Sequence, residues 1–203
     1  TPIPRSLAMT MYGDMDVSQL TEKPAGRQPI ATRVIPLARE EELYDAIQRA
    51  LDKGEKIYWI CPLVEGSEDE RTDLAAATER FREFTQRFGN KVGLVHGRVP
   101  IDERQQVMKQ FSEGDVRLLV ATTVVEVGVD VPDATIMVIE HAERFGLAQL
   151  HQLRGRVGRG EKQSTCLLLY SEKISDIAQE RLRAMRQSND GFYLSEEDLR
   201  LRG

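Results

Sequence analysis

The chain has 203 residues, of which 40% are hydrophobic and 30% charged, and its formal net charge is −5. This length suffices for one or two domains with a sizeable core, and no apolar run reaches the ~20 residues that a membrane-spanning helix needs. The acidic balance excludes nucleic-acid binding by the molecule as a whole, so such binding needs a local basic patch. No signal peptide is visible. Because the first residue is Thr1 and not Met, we expect a piece of a longer chain.

Residues 1–29 contain prolines and glycines that break long elements, and they are predicted to form an arm leading into a compact domain. From residue 30 onward, apolar strand-like runs alternate with amphipathic helical segments. Strands are predicted at residues 30–37, 56–62, 91–95, 116–122, 135–140 and 164–170, and helices at 39–53, 74–88, 101–112, 146–157 and 174–187. This alternation predicts an α/β fold whose mostly parallel central sheet is covered by helices on both faces.

Two further regions carry simpler expectations. Residues 189–203 are predicted to form a polar tail, with Phe192, Tyr193, Leu194 and Leu199 as candidate anchors. Cys61 and Cys166 each lie in an apolar strand without CxxC spacing or a nearby histidine. We therefore expect two buried thiols in a reducing cytoplasm rather than a disulfide or a metal site.

The segment QLRGRVGRG places Arg156 and Arg159 three residues apart, each directly after a glycine. Such spacing suits two guanidinium groups that bind one polyphosphate, and the glycines let the backbone approach the ligand. Each helical glycine costs ~1 kcal/mol, which favours this interpretation over a solvated basic helix face. No phosphate-binding loop of the form GxxxxGK(S/T) accompanies the arginines, so they resemble half of a site.

Two other segments directly follow predicted strands. The run ATTVVEVGVDVP contains Thr122, Gly128 and Asp130, and the run HGR contains Gly97 and Arg98. Ligands of parallel sheets gather at the carboxyl ends of strands, where hydroxyls and amides can hold phosphate and a carboxylate can accept from a ribose hydroxyl. The alternatives are a polar strand-to-helix loop for the first segment and an ordinary surface loop for the second.

Together these segments resemble the superfamily 2 helicases. ATTVVEVGVDVP and QLRGRVGRG are similar to motifs V and VI, LVHGR to the segment between motifs IV and V, and CPLVE to motif IV. Their order and spacing resemble the second RecA-like motor domain across residues 30–170. The initial TPIPR, with YGDMDVS after it, resembles the RecG family of bacterial branch-migration DNA helicases, of which the Mfd family is a close relative.

The resemblance implies a RecA-like three-layer sandwich and a role for each motif residue. In such motors two RecA-like domains enclose ATP, and the second domain supplies arginine fingers, here Arg156 and Arg159. Glu126 would link the two ends of motif V. The other implied nucleotide contacts are Gly128, Asp130, Gln152 and Arg154, and the implied DNA contacts are Thr122, Gly97 and Arg98. No metal ligand is expected, because ATP and Mg²⁺ would be bound mainly by the first motor domain, which this sequence lacks.

The resemblance also implies a domain division: residues 1–29 as a linker arm, 30–188 as the second motor domain, and 189–203 as the start of a translocation motif that is cut short. The implied parent is a monomeric, cytoplasmic bacterial helicase that acts on forked or Holliday-junction DNA in recombination and repair. Its partners would be branched DNA and its own first motor and wedge domains. The isolated chain is then expected to lack ATPase activity.

Two alternatives remain, a non-catalytic RecA-like protein-interaction module and an RNA helicase domain. The paired arginines and the motif V acid favour the enzyme over the first, since these groups serve transition-state charge. The TPIPR and YGDMDVS segments favour the DNA helicase over the second.

Overall fold

The computed structural model describes residues 28–62, 70–122 and 131–202. Within these residues six strands and six α-helices alternate along the chain. The strands are β1 Ala31–Pro36, β2 Lys56–Ile60, β3 Val92–Val95, β4 Leu118–Ala121, β5 Ala134–Ile139 and β6 Thr165–Tyr170. The helices are α1 Glu40–Asp52, α2 Glu70–Phe88, α3 Ile101–Ser112, α4 Leu147–Arg154, α5 Asp176–Gln187 and α6 Gly191–Arg202.

The strands form one sheet in the order β1-β6-β5-β2-β4-β3. Every neighbouring pair is parallel, and a helical crossover joins each strand to the next except β4 to β5, whose connection includes residues outside those described. The described part of residues 30–170 therefore forms the predicted α/β sandwich of the RecA type.

Helices cover both faces of the sheet, and the strand residues alternate between them. Along β2, Ile57 and Trp59 join the core formed with α1 and α2, and Tyr58 and Ile60 join the core formed with α3, α4, α5 and α6. All four side chains are at most 2% exposed. Because both faces of the central strand are buried, its sequence is continuously apolar rather than alternating.

The predicted thiol burial is confirmed. Cys61 packs with the α1–α2 core and Cys166 with the core on the opposite face, so the sheet separates the two sulfur atoms. Burial raises the pKa of both thiols, that of Cys166 to about 12.

The largest departures from the predicted elements are at helix ends. α4 ends at Arg154 instead of residue 157, and Gly158 beyond it adopts a left-handed φ of 72° that a helix cannot accommodate. As a result, Arg156 and Arg159 lie after the helix rather than within it. α2 begins at Glu70, four residues before its predicted start.

The predicted polar tail contains helix α6. The Asp190 carboxylate accepts a hydrogen bond from the Phe192 backbone N–H at 2.9 Å, as a helix-capping side chain does. Of the candidate anchors only Leu194 is fully buried, at 1% exposure, whereas Tyr193 and Leu199 are exposed. None of the helices that the structure describes combines the length and apolar character needed to cross a membrane.

Candidate functional site

The implied DNA contacts lie together at the carboxyl edge of the sheet. Val95 at the end of β3 pairs with Ala121 at the end of β4, so the residues that follow these strands are neighbours. Gly97 and Arg98 are exposed there, whereas Thr122 is completely buried, and its backbone N–H donates to the Val95 carbonyl at 3.2 Å. The Thr122 hydroxyl has no hydrogen-bond partner among the described residues.

The turn after β3 is fixed by its histidine. The Arg98 backbone N–H donates to Nδ1 of His96 at 3.3 Å. Burial, and then the charge of Arg98, lowers the pKa of His96, which favours the neutral ring that this acceptor role requires. The sequence suggested that backbone amides bind phosphate here, but the Arg98 amide is already engaged. The exposed Arg98 side chain and Gly97 are left to make such a contact.

The arginine segment lies at the opposite edge of the sheet, at the amino ends of the strands. A Cβ atom on Gly158 would lie 2.9 Å from Cγ1 of Ile30, the residue before β1. A Cβ on Gly160 would lie 2.8 Å from the carbonyl oxygen of Pro132, which precedes β5. The glycines of this segment therefore allow close packing against the sheet edge. The arginine segment therefore lies at the edge opposite to the segments that follow β3 and β4.

Arg156 and Arg159 lie at this amino edge, and neither is buried. Arg159 is exposed, and its Nε donates to the Gly155 carbonyl at 3.2 Å, whereas Arg156 is partly exposed. Gln152, on the preceding helix α4, is also exposed. Two guanidinium groups on a short glycine-containing segment are suited to contact phosphate oxygens presented from outside the domain.

The structure gives Arg154 a different role from the nucleotide contact implied by the sequence. Its side chain is buried at 1% exposure, and Nη1 donates to the carbonyls of Met185 and Ser188 at 2.8 Å. The same nitrogen donates to Oγ1 of Thr32 on β1 at 3.2 Å. Burial lowers the pKa of this guanidinium. Arg154 thus links the end of α4 to β1 and to the end of α5. Because its donors are engaged in these contacts, they cannot at the same time bind an external ligand.

Three motif V residues, Gly128, Asp130 and Glu126, lie outside the described residues. Among the residues that are described, no group of three or more His, Cys, Asp or Glu side chains could hold a metal ion. A cleft of about 710 Å³ lies between α1 and strands β1 and β6, and neither Arg156 nor Arg159 is among its lining residues.

The sequence did not predict a largely buried cluster of charged side chains at the carboxyl end of β5. Arg80 on α2 donates from Nη2 and Nε to the two carboxylate oxygens of Glu140, at 2.7 and 3.2 Å, and Glu140 directly follows β5. The Glu140 carboxylate also accepts from Nε1 of Trp59 at 2.7 Å. Burial disfavours the charged guanidinium, but pairing with Glu140 leaves the pKa of Arg80 above its ordinary value.

The segment from β5 to α4 carries three more such contacts. Nη1 and Nη2 of Arg144 donate to Oδ1 and Oδ2 of Asp73 on α2, at 2.9 and 3.0 Å. His141 has a left-handed φ of 50°, and its Nδ1 lies 3.1 Å from Oε1 of Glu143. The Glu143 carboxylate accepts from Oγ of Ser171 at 2.7 Å. Burial opposes ionisation of Glu143, but these hydrogen bonds lower its pKa to about 2, and the same carboxylate raises the pKa of His141.

Residues 39–161 match the family described as the helicase conserved C-terminal domain. The chain belongs to this family. The match spans both edges of the sheet and includes the arginine segment. Several RNA and DNA helicases share the fold at low identity, among them the second domain of the DEAD-box protein Mss116p, which is 18% identical with a TM-score of 0.61.

Within the family, the chain is similar to ATP-dependent DNA helicases named RecG. It is 53% identical to RecG of Acidithiobacillus ferridurans and 51% identical to RecG of Escherichia coli K12, with the whole chain aligned in each case. A solved structure of RecG bound to a three-way DNA junction is 43% identical over 98% of this chain, with a TM-score of 0.81. The chain spans 30% and 29% of the two RecG sequences and 26% of the solved one.

Proposed function

We propose that this chain is the second RecA-like motor domain of an ATP-dependent DNA helicase that unwinds and branch-migrates forked or Holliday-junction DNA. The observation that carries the proposal is the outward-facing pair Arg156 and Arg159, held beyond the end of α4 on a glycine-containing segment. The similarity to RecG over the whole chain supports DNA rather than RNA as the track.

The proposed chemistry assigns a distinct role to each edge of the sheet. At the amino edge, Arg156 and Arg159 stabilise the negative charge that develops on the transferred phosphoryl group, as arginine fingers do. Gln152, Gly128 and Asp130 remain the proposed nucleotide contacts. At the carboxyl edge, Gly97, Arg98 and Thr122 contact the DNA backbone, with Thr122 requiring a rearrangement that exposes its hydroxyl. ATP brings the scissile phosphate bond and Mg²⁺ neutralises charge on the β,γ-phosphates.

The remaining machinery is assigned to other parts of the parent protein. Because this sequence has no GxxxxGK(S/T) loop, the first motor domain is proposed to bind most of the nucleotide and the Mg²⁺. In this arrangement residues 1–29 form the linker from that domain, 30–188 the second motor domain, and 189–203 the start of the translocation motif. A wedge domain completes a monomeric enzyme of the bacterial cytoplasm.

The competing proposal is a RecA-like module that only binds other proteins. It predicts that substitutions in the arginine segment leave ATP hydrolysis by the parent unchanged. The outward orientation of Arg156 and Arg159 favours the motor, since neither side chain is buried in the domain's own core, as Arg154 is.

The isolated chain is expected to show no DNA-stimulated ATP hydrolysis, whereas the full-length parent hydrolyses ATP rapidly when branched DNA is added. The physical reason is that the fingers act only on a nucleotide bound by the first motor domain. Phosphate release by the two proteins, measured under identical conditions, checks this expectation. Robust DNA-stimulated hydrolysis by the rigorously purified chain would contradict it.

Replacing Arg98 by alanine in the parent should weaken DNA binding to a similar degree on all sequences. Loss of one phosphate contact also lowers the slope of log affinity against log salt concentration by ~1. Fluorescence anisotropy with a labelled fork at several salt concentrations measures this slope. The matched control is Arg82→Ala, an exposed arginine on α2 whose salt bridge to Glu79 lies away from both edges. An unchanged slope in Arg98→Ala would remove this residue from the DNA contacts.

A further inference from the structure

The implied DNA contacts and the finger arginines lie at opposite ends of the same sheet, so DNA-stimulated hydrolysis needs a physical connection between the two ends. Residues 140–146 are suited to provide one. They leave the carboxyl end of β5 and enter α4, and the finger segment begins at Gly155 directly after that helix. We call residues 140–146 the β5–α4 connection. A helix the length of α4 spans ~12 Å and transmits displacement as a rigid element.

The β5–α4 connection is bound to α2 by two arginine–carboxylate pairs. Arg80 on α2 binds Glu140 at the start of the connection, and Asp73 on α2 binds Arg144 three residues before α4. The Asp73 side chain is only 7% exposed, whereas that of Arg144 is 32% exposed. Both pairs are bidentate, which fixes the angle as well as the distance between the two groups.

Asp73 lies in the first turn of α2, at the end of the helix that is nearer the carboxyl edge of the sheet. That helix begins after the carboxyl end of β2 and ends at Phe88, shortly before the amino end of β3, so its first turns lie at the carboxyl edge. Arg144 therefore joins an element at the carboxyl edge to the helix that leads to the fingers. By contrast, Arg80 lies near the middle of α2, and its pair with Glu140 holds the start of the β5–α4 connection against that helix.

The other contacts of the connection restrict how it can move. Ser171, after β6, donates to Glu143 at 2.7 Å, and Arg181 on α5 donates to the Phe145 carbonyl at 2.7 Å. With its polar groups held from three sides, the connection has little freedom to absorb a shift of α2. A shift of the first turns of α2 is then passed to α4.

We propose that the Asp73–Arg144 pair couples DNA binding at the carboxyl edge to the placement of Arg156 and Arg159 at the amino edge. Arg144 is a positioning residue in this proposal, since it acts through α4 and touches neither DNA nor nucleotide. The inference rests on the proposed motor function and adds a route by which that function is regulated. A coupling contact of this kind changes the response to DNA, not the capacity to hydrolyse ATP.

The test uses the full-length parent and two variants, Arg144→Lys, which keeps the charge but loses the bidentate geometry, and Asp73→Asn. In both, hydrolysis without DNA and the Kd for a labelled fork stay close to wild type. The DNA-stimulated rate falls about tenfold, within the usual range of coupling between sites. The matched control is Arg87→Lys. Arg87 lies on α2 and forms an exposed ion pair with Glu41 on α1, and weakening this pair should leave the stimulation by DNA unchanged.

A double-mutant cycle separates coupling from a loss of structure. The two single substitutions disrupt the same interaction. DNA should therefore stimulate hydrolysis by the Asp73→Asn/Arg144→Lys protein at least as strongly as hydrolysis by either single variant. The Tm of each protein is measured. If Arg144→Lys lowers the Tm, the DNA-stimulated rate of the isosteric Asp73→Asn variant is the one that tests the proposal. Equal loss of the DNA-free and DNA-stimulated rates, or unchanged stimulation in both variants, overturns the proposal. Neither outcome affects the motor assignment, which depends on the finger arginines.

Discussion

Replacing Arg159 by alanine in the full-length parent lowers kcat for DNA-stimulated ATP hydrolysis by about 10³-fold or more, while DNA binding is largely retained. In the proposed mechanism the exposed guanidinium stabilises charge that exists only in the transition state, so its loss affects the rate rather than the affinity for DNA. Because the Arg159 side chain is exposed, its removal opens no core cavity. Steady-state phosphate release with saturating fork DNA, together with anisotropy, measures both quantities.

Arg39→Ala provides the control for a general effect of losing a positive charge. Arg39 is exposed, pairs locally with Glu42, and lies outside the arginine segment. Its replacement should leave kcat and DNA affinity unchanged. If Arg159→Ala hydrolyses ATP at nearly the wild-type rate, the finger is Arg156 or another residue. If both Arg156→Ala and Arg159→Ala are fully active, the motor assignment itself is wrong and the protein-interaction alternative gains support.

Replacing Arg80 by leucine lowers the free energy of unfolding of this chain by about 3–5 kcal/mol, the usual cost of removing one partner of a buried ion pair. Its side chain is 13% exposed and that of Glu140 is 12% exposed, so the remaining carboxylate has little access to water. The guanidinium also lies 5.5 Å from the ring centroids of Trp59 and Phe84, and these cation–π contacts are lost. Urea denaturation followed by Trp59 fluorescence measures the change.

Two further variants make the Arg80 result specific. Arg82→Leu, two residues along the same helix, removes an exposed pair with Glu79 and should cost at most about 1 kcal/mol. Arg80→Leu/Glu140→Gln should be more stable than Arg80→Leu alone, because the neutral amide removes the unpaired buried charge. A loss in Arg80→Leu no greater than in Arg82→Leu would show that the cluster contributes little to stability.

The local pattern of the sequence was sufficient for the sandwich and for most of its elements. The strand at 56–62 and the helix at 101–112 were predictable because the apolar character and spacing of residues within one segment decide how that segment buries its surface. The burial of Cys61 and Cys166 followed from the same pattern. The glycines of the arginine segment were interpreted as sites where a ligand approaches the backbone, whereas Gly158 packs closely against Ile30 and the helix ends earlier than predicted.

The roles of individual arginines could not be predicted in this way. Arg154, Arg156 and Arg159 lie in one short segment with the same chemistry, yet Arg154 is buried and the other two face outward. What distinguishes them is the position of Thr32, Met185 and Ser188, as much as 122 residues away along the chain. Arg80 and Glu140 are likewise 60 residues apart, and no spacing rule connects them.

The sequence by itself therefore determined the fold class, the family and the residues that carry the motifs, because these are encoded by local composition and order. Only the tertiary structure decided that the motifs are divided between two edges of the sheet. Each crossover helix returns the chain from the carboxyl edge to the amino edge, so Glu140 and Gly155, which are only 15 positions apart in the sequence, lie at opposite edges of the sheet. That separation arises from the packing of helices and strands. It is the reason why the contact between Asp73 and Arg144 is proposed to couple the two edges.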